Sequence, residues 1–278
     1  MRRYTEVDVF TDTLLAGNPV AVVHDADGLD DATMAAFARW TNLSETTFLL
    51  RPTDPGADYR LRIFTPGGEL PFAGHPTLGS ARAWLAAGGV PRAGVAVQQC
   101  GAGLVTVRVS DVSAAFAAPP LRRSGPADEA TREVVAHGLR LDPRAPELRA
   151  VQWVDNGPGW VAALLASARD VLAVTPDFAA MAGLSISIVG PFGPGGPADV
   201  EVRAFVPGLG VPEDPVTGSL AAGLGMWLPS TGVVGDDFVI RQGTALGRRG
   251  MVRVTRRDGA VWVGGDTVVA VTGTVALG

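Results

Sequence analysis

Two stretches of this chain repeat one another, and the repeat limits the fold more than any other feature. Arg62, Phe64 and Pro66 in RIFTP have counterparts in Arg203, Phe205 and Pro207 of RAFVP. Beyond each run come a proline and two glycines at equal spacing: Pro71, Gly74, Gly79 in PFAGHPTLG and Pro215, Gly218, Gly223 in PVTGSLAAG. Two short turns can resemble each other by chance, but strand, proline, glycine and helix in the same order twice point to an internal duplication. A length of 278 residues accommodates one large domain or two modest ones. The duplication selects two lobes.

Short alternating or apolar runs bounded by Gly, Pro, Asp and Asn predict strands at Tyr4 to Phe10, Pro19 to Val23, Leu104 to Val109, Ser185 to Val189 and Val268 to Val271. Fewer segments predict helices: Asp31 to Trp40 behind an acidic cap, Gly74 to Ala87, Glu129 to His137, and Gly218 to Leu228. The helices at Gly74 and Gly218 are rich in Gly and Ala. Such a helix lets strands approach closely, so each is expected to run through or against a strongly curved sheet. The Pro pair and Gly-Pro turn of AAPPLRRSGPADEA, Ala117 to Ala130, mark the expected linker between lobes, and GPFGPGGPAD, Gly190 to Asp199, is expected to be a surface loop.

Several function classes fall away on composition. The chain has no lysine, which removes a pyridoxal phosphate Schiff base and a phosphate-loop lysine. Cys100 is its one cysteine, so neither an intrachain disulfide nor a pair of facing catalytic thiols can form. The three histidines, His24, His75 and His137, have no second His or Cys at ligand spacing, so no metal site is expected. A net charge of -5 with scattered arginines offers no surface for nucleic acid. Glu6 and Asp8 fall where a secretory leader needs an apolar stretch, and no apolar run is long enough to span a bilayer. The expected setting is the cytoplasm, away from membranes.

Four residues carry candidate chemistry. A glycine at a helix start leaves backbone N–H groups pointing outward ahead of the positive end of the dipole, which suits a carboxylate or an enolate. Gly74 and Gly218 both stand at such starts, where two related lobes can present them to one substrate; either glycine alone is equally an ordinary turn residue. His75 follows Gly74 in a first helical turn, where the dipole favours a neutral imidazole, and a packing or capping role fits the same letters. Asp214 in VPEDPVTGS, with Ser219 five residues on, reads as a site or as an Asp-Pro turn beside a hydroxyl cap. Glu45 in NLSETTFLL is the one charge between Arg39 and Arg51. Burial beside the apolar strand would raise its pKa towards neutrality, as acid/base work needs, while on local sequence a solvated strand end describes it as well.

Taken together, GNPVAVV (Gly17 to Val23), SETTFLL (Ser44 to Leu50), RIFTPGGELPFAGHPTLGSA (Arg62 to Ala81), EVRAFVPGLGVPEDPVTGS (Glu201 to Ser219) and RQGTALGRRG (Arg241 to Gly250) resemble the PhzF family, named for phenazine biosynthesis. The resemblance implies an α+β, diaminopimelate epimerase-like fold. In it, two pseudo-symmetric lobes each wrap a barrel-like, mostly antiparallel sheet around a central helix, and the protein is a homodimer. The lobes are then expected at 1–118, completed by the last strand at about 267–278, and at 119–266. The family's acid/base glutamate falls on Glu45 and its active-site histidine, aspartate and serine on His75, Asp214 and Ser219; Asn18, Gly74 and Gly218 fall at substrate contacts. The activity implied is cofactor-independent isomerisation, in which the glutamate moves a proton between carbons of a small, cyclic carboxylate. Hydrolysis of a C–C bond by the same site, or a silent small-molecule-binding homologue, are the competing expectations.

Overall fold

Valine-rich runs punctuated by Gly, Pro and Asp fold into seventeen strands and five α-helices among the described residues. The computed structural model describes residues 1–181, 183–209 and 211–278. It divides into two units: residues 1–117 with 264–278, and residues 118–263.

Unit 1 contains β1 (Arg2–Val9), β2 (Asn18–Val23), α1 (Asp31–Thr41), β3 (Thr46–Leu50), β4 (Tyr59–Thr65), β5 (Gly68–Leu70), α2 (Gly74–Ala86), β6 (Val95–Cys100), β7 (Gly103–Val109) and β8 (Ser113–Ala117). Unit 2 contains β9 (Arg123–Pro126), α3 (Glu129–Gly138), β10 (Leu148–Asp155), β11 (Trp160–Leu165), α4 (Ala168–Ala173), β12 (Ser185–Pro191), β13 (Val200–Val206), β14 (Val211–Asp214), α5 (Gly218–Trp227), β15 (Phe238–Gln242) and β16 (Gly250–Arg257). A long last strand, β17 (Ala260–Val275), follows the two-residue Asp258-Gly259 turn. Both turn residues have positive φ, as a tight hairpin matched to strand twist requires.

In unit 1 the pairings run β17–β1–β2–β3–β4–β6–β7–β8 and return to β17, closing an eight-stranded barrel. α2 lies against β1, β2, β3, β4, β7 and β8, so it fills the barrel. Its residues from Gly74 to Ala81 are all buried, which explains why its sequence lacks a polar face. An ideal Cβ on Gly79 would come within 2.2 Å of Val20 Cγ1 and 3.0 Å of Val9 Cγ2, so only glycine lets helix and strands meet. Outside the barrel, Met34, Phe37 and Ala38 of α1 pack at i, i+3, i+4 spacing onto Val23, Phe48 and Phe64.

Unit 2 repeats this plan. The signs of its pairings, β10–β11 antiparallel, β11–β12 parallel, β12–β13 and β13–β14 antiparallel, β13–β15 parallel and β15–β16 antiparallel, match those from β1 to β7 one for one. β9 adds to β10. α5 is the counterpart of α2. Gly223 lies against the Val154 carbonyl of β10, and Gly225 against Val254 of β16 and Val261 of β17, so strands from both ends of the pairing order reach the same helix. The duplication seen over a few letters therefore spans the whole unit. Its signature residues form matched clusters: Arg62 makes a two-pronged ion pair with Glu69 and lies 5.1 Å from the Phe64 ring, while Arg203 pairs likewise with Glu213 at 5.0 Å from Phe205.

The expected strands and helices form within one or two residues of the expected limits, apart from the last strand, of which Val268 to Val271 is a short part. Phe10 lies beyond β1, turned into the left-handed region at φ 66. Two expectations are sharpened. The segment from Ala117 to Ala130 is not a plain linker, because Arg123–Pro126 finds a free edge on β10 and pairs with it, and Asp128 caps α3 through Thr131 N. Of the stretch Gly190 to Asp199, the first two residues end β12, whose ladder with β13 runs through Pro191, and residues 192–199 form the expected loop, mostly exposed. Among the described residues, no helix is long and apolar enough to cross a membrane.

One acid is buried in the sheet of unit 2. Glu201 on β13 has no solvent exposure, and burial pushes its pKa up to about 7, partly opposed by Thr244 and by Arg241, whose Nε lies 3.9 Å away. The folded chain thus holds a proton here that the unfolded chain releases near 4.5, so this group's contribution to stability falls as pH rises from about 4.5 through 7. Denaturation should show Glu201→Gln gaining on the wild type by on the order of 2–3 kcal/mol between pH 5 and 8. Gly223→Ala tests the helix seat: its Cβ would sit 2.4 Å from the Val154 carbonyl. That clash should outweigh the roughly 1 kcal/mol alanine gains in helix propensity and leave a net loss of about 2 kcal/mol in urea titration.

Candidate active site

The parallel pairing of β2 with β3 sets Ala21 opposite Thr46, which brings Glu45, just before β3, beside the start of β2. α2 begins at the same end of the barrel. Its first turn carries His75, whose Nδ1 lies 2.9 Å from Glu45 Oε2, with the two side chains 5% and 16% exposed. The contact is at ion-pair distance without the alignment of a hydrogen bond, and Oε2 is buried. The far ring nitrogen, Nε2, lies 3.3 Å from the carbonyl of Pro19. A carbonyl only accepts, so the network assigns a proton to Nε2 and, in the neutral ring, leaves the Nδ1 lone pair facing the Glu45 carboxyl. The two side chains are held within reach of each other at the start of α2.

Asn18 occupies the first position of β2, buried, one residue before that carbonyl. Its place is fixed from behind by Asp8, a carboxylate 2% exposed that accepts from Ala16 N at 3.0 Å and Gly17 N at 3.1 Å. Gly17 is obligatory there, since a Cβ would meet the Val9 carbonyl at 2.2 Å. Gly74 is held as closely: its Cβ would enter the Phe116 ring at 2.4 Å. Asn18, Glu45, Gly74 and His75 are therefore gathered by three elements of unit 1.

In unit 2, Asp214 ends β14 and α5 starts four residues later at Gly218. Asp214 Oδ2 accepts from the Thr217 hydroxyl at 2.6 Å, and Gln242 of β15 joins the loop through Thr217 N, Thr217 Oγ1 and the Asp214 carbonyl. Ser219 Oγ accepts from Trp160 Nε1 at 3.0 Å, and its carbonyl accepts from Asn156 Nδ2 at 2.7 Å. The Ser219 hydroxyl proton is thus left for another acceptor. Among the described residues, the N-cap positions of α2 and α5, Ala73 and Thr217, make no side-chain cap bond, unlike those of α1 and α3, Asp30 and Asp128.

Sequence reasoning passed over Asp8, Thr217, Gln242, Asn156 and Trp160. A signal existed for Gln242 and the glycines beside it: RQGTALGRRG is a motif whose Gly243 packs on the Pro215 carbonyl and whose Gly250 packs on Val216, so it cradles the PVTG loop. Asp8 gave none, because an acid in an alternating strand reads as solvent-facing.

A family model described as Phenazine biosynthesis-like protein matches residues 7–274. The chain belongs to this family. It is 37% identical, over 97% of both chains, to Antisense-enhancing sequence 1 of Schizosaccharomyces pombe. It is 34% identical, over 100% of both chains, to trans-2,3-dihydro-3-hydroxyanthranilate isomerase of Pseudomonas fluorescens. The crystal structure of a phenazine biosynthesis protein of the PhzF family from Enterococcus faecalis matches it with a TM-score of 0.83 over 99% of both chains at 24% identity, and so shares the fold. The α+β architecture expected of the family is the one observed.

Asp8→Ala should cost about 2–3 kcal/mol, as expected for loss of charge-assisted bonds to two buried amides. Denaturant unfolding measures the loss, and a change below about 0.5 kcal/mol would remove Asp8 as the anchor of the Asn18 turn.

Proposed function

We propose that this chain is a cofactor-independent isomerase that moves a proton between carbons of a small, cyclic carboxylate, with Glu45 as acid/base. The Glu45–His75 pair carries the reading. An acid/base residue must take a proton from one carbon and deliver one to another. A carboxyl 16% exposed, 2.9 Å from an imidazole nitrogen whose partner nitrogen is tied to Pro19, is held in one place beside a group that can pass a proton, with enough access to exchange it with solvent. Relatives named as isomerases, the Pseudomonas fluorescens enzyme among them, support the same reaction class.

The remaining residues are assigned from motif and placement. Asn18 and the amide ends at Gly74 and Gly218 bind the substrate's polar groups, and Asp214 and Ser219 orient them. The amide ends suit a carboxylate, since each is the positive end of a helix whose N-cap residue makes no side-chain cap bond. The chemistry uses no metal or coenzyme: proton removal next to a carboxylate needs a base, an acid and donors for the developing negative charge.

The test uses trans-2,3-dihydro-3-hydroxyanthranilate in heavy water. Glu45→Gln should lower turnover and deuterium uptake together by about 10²–10⁴-fold, the usual contribution of a positioned acid/base, while substrate still binds. A product of unchanged mass marks isomerisation, two fragments mark C–C hydrolysis, and full activity in Glu45→Gln would sink the assignment.

A further inference from the structure

The duplication supplies a comparison within one chain. Ile63 faces Leu70 as Ala204 faces Asp214, so Leu70 of unit 1 stands where Asp214 does in unit 2. Counting on through the shared proline, Ala73 stands where Thr217 does. Gly101 packs on Pro71 as Gly243 packs on Pro215, which puts Cys100 in the place of Gln242. Both units build this turn and start a helix after it, at Gly74 and Gly218. Unit 1 does so with Leu, Ala and Cys. The backbone path therefore does not require the Asp–Thr–Gln cluster.

The hydrogen bonds of that cluster have one consistent direction. Thr217 N can only donate, so the Gln242 atom 3.0 Å away is the amide oxygen. The other terminal atom is then the NH₂, which gives its two protons to the Asp214 carbonyl at 3.0 Å and to Thr217 Oγ1 at 2.9 Å. With that oxygen accepting from Gln242, the Thr217 hydroxyl proton goes to Asp214 Oδ2, at the short distance of 2.6 Å. Gln242 is 1% exposed and Thr217 8%, so water does not compete.

We propose that Thr217 and Gln242 are positioning residues, a relay in which Gln242 orients the Thr217 hydroxyl and Thr217 holds Asp214 in one rotamer as a carboxylate. A donor aimed at the charged form of an acid favours that form. The charged groups around the loop are Glu213, paired with Arg203; Arg241, which binds Thr244 and faces Glu201; and Arg248, packed on Gly243. The relay's value for turnover rests on the proposed role of Asp214 in orienting substrate.

Carboxyl carbon-13 NMR of Asp214, assigned by its disappearance in Asp214→Asn, reads the relay without any substrate. Thr217→Ala, which installs what unit 1 already has, should fold and raise the Asp214 titration midpoint by about one pH unit, the scale of one lost charge-assisted bond. Thr217→Ser should restore the wild-type midpoint, and Gln242→Glu should raise it. An unmoved midpoint in Thr217→Ala overturns the relay. Turnover of trans-2,3-dihydro-3-hydroxyanthranilate then separates the two ideas. If Asp214 orients substrate through this relay, Thr217→Ala lowers kcat about tenfold in the wild type and not at all on an Asp214→Asn background. Wild-type turnover in Asp214→Asn would remove the role given to Asp214, while the carbon-13 result would still decide the relay.

Discussion

Everything in this molecule hangs on two glycines that let a buried helix touch the strands around it. At Gly79 and Gly223 the space for a side chain is already occupied by Val20 and by the Val154 carbonyl. A barrel of eight strands has an interior just wide enough for side chains to fill. Placing a helix there is feasible only where the facing residue has none. Once the helix is seated, its amide end is fixed at one rim, and residues at that rim, His75 in one unit and Ser219 in the other, are held with the rigidity of the core. Precision at these two positions is thus a by-product of packing, while Asn18 and Asp214 are held by hydrogen bonds of their own.

The site residues divide by what holds them. Glu45 lies outside any regular element, yet the β2–β3 register and the His75 ring confine it. Asp214 is fixed by hydrogen bonds from a strand and a cap residue. One carboxyl therefore faces an imidazole, a group able to exchange a proton, and the other accepts from a hydroxyl that favours its charged form. Two acids in such contrasting surroundings suit different tasks, as proton transfer and electrostatic orientation require.

Most of the architecture was legible in the letters because the duplication is physical. Arg62, Phe64 and Pro66 survive with Arg203, Phe205 and Pro207 since each set builds the same ion pair and ring contact beside the same turn. What stayed hidden were partners with no local mark. Asp8 looks like any acid on an alternating strand until Gly17 folds back onto it, and Trp160 gives no hint that its indole N–H will meet Ser219. Arg123–Pro126 reads as linker because its glycine and proline disfavour a strand, and only the open edge of β10 overrules that preference. Glu45 itself was ambiguous: an acid before a buried strand is solvated or enclosed according to what lies opposite, and the histidine opposite it is thirty residues away.

β17 belongs to both units, with Ala260–Val263 completing one and the rest closing the barrel of the other. Arg2 pairs with Val275, so β1 and the far part of β17 are neighbours in one ladder. On the ribosome, unit 1 therefore emerges early as an open ring with β1 and β8 exposed, and waits through the synthesis of the whole of unit 2 for its closing strand. Of the two units, the one begun first is finished last. Those two edges are where the nascent protein is most exposed to wrong partners.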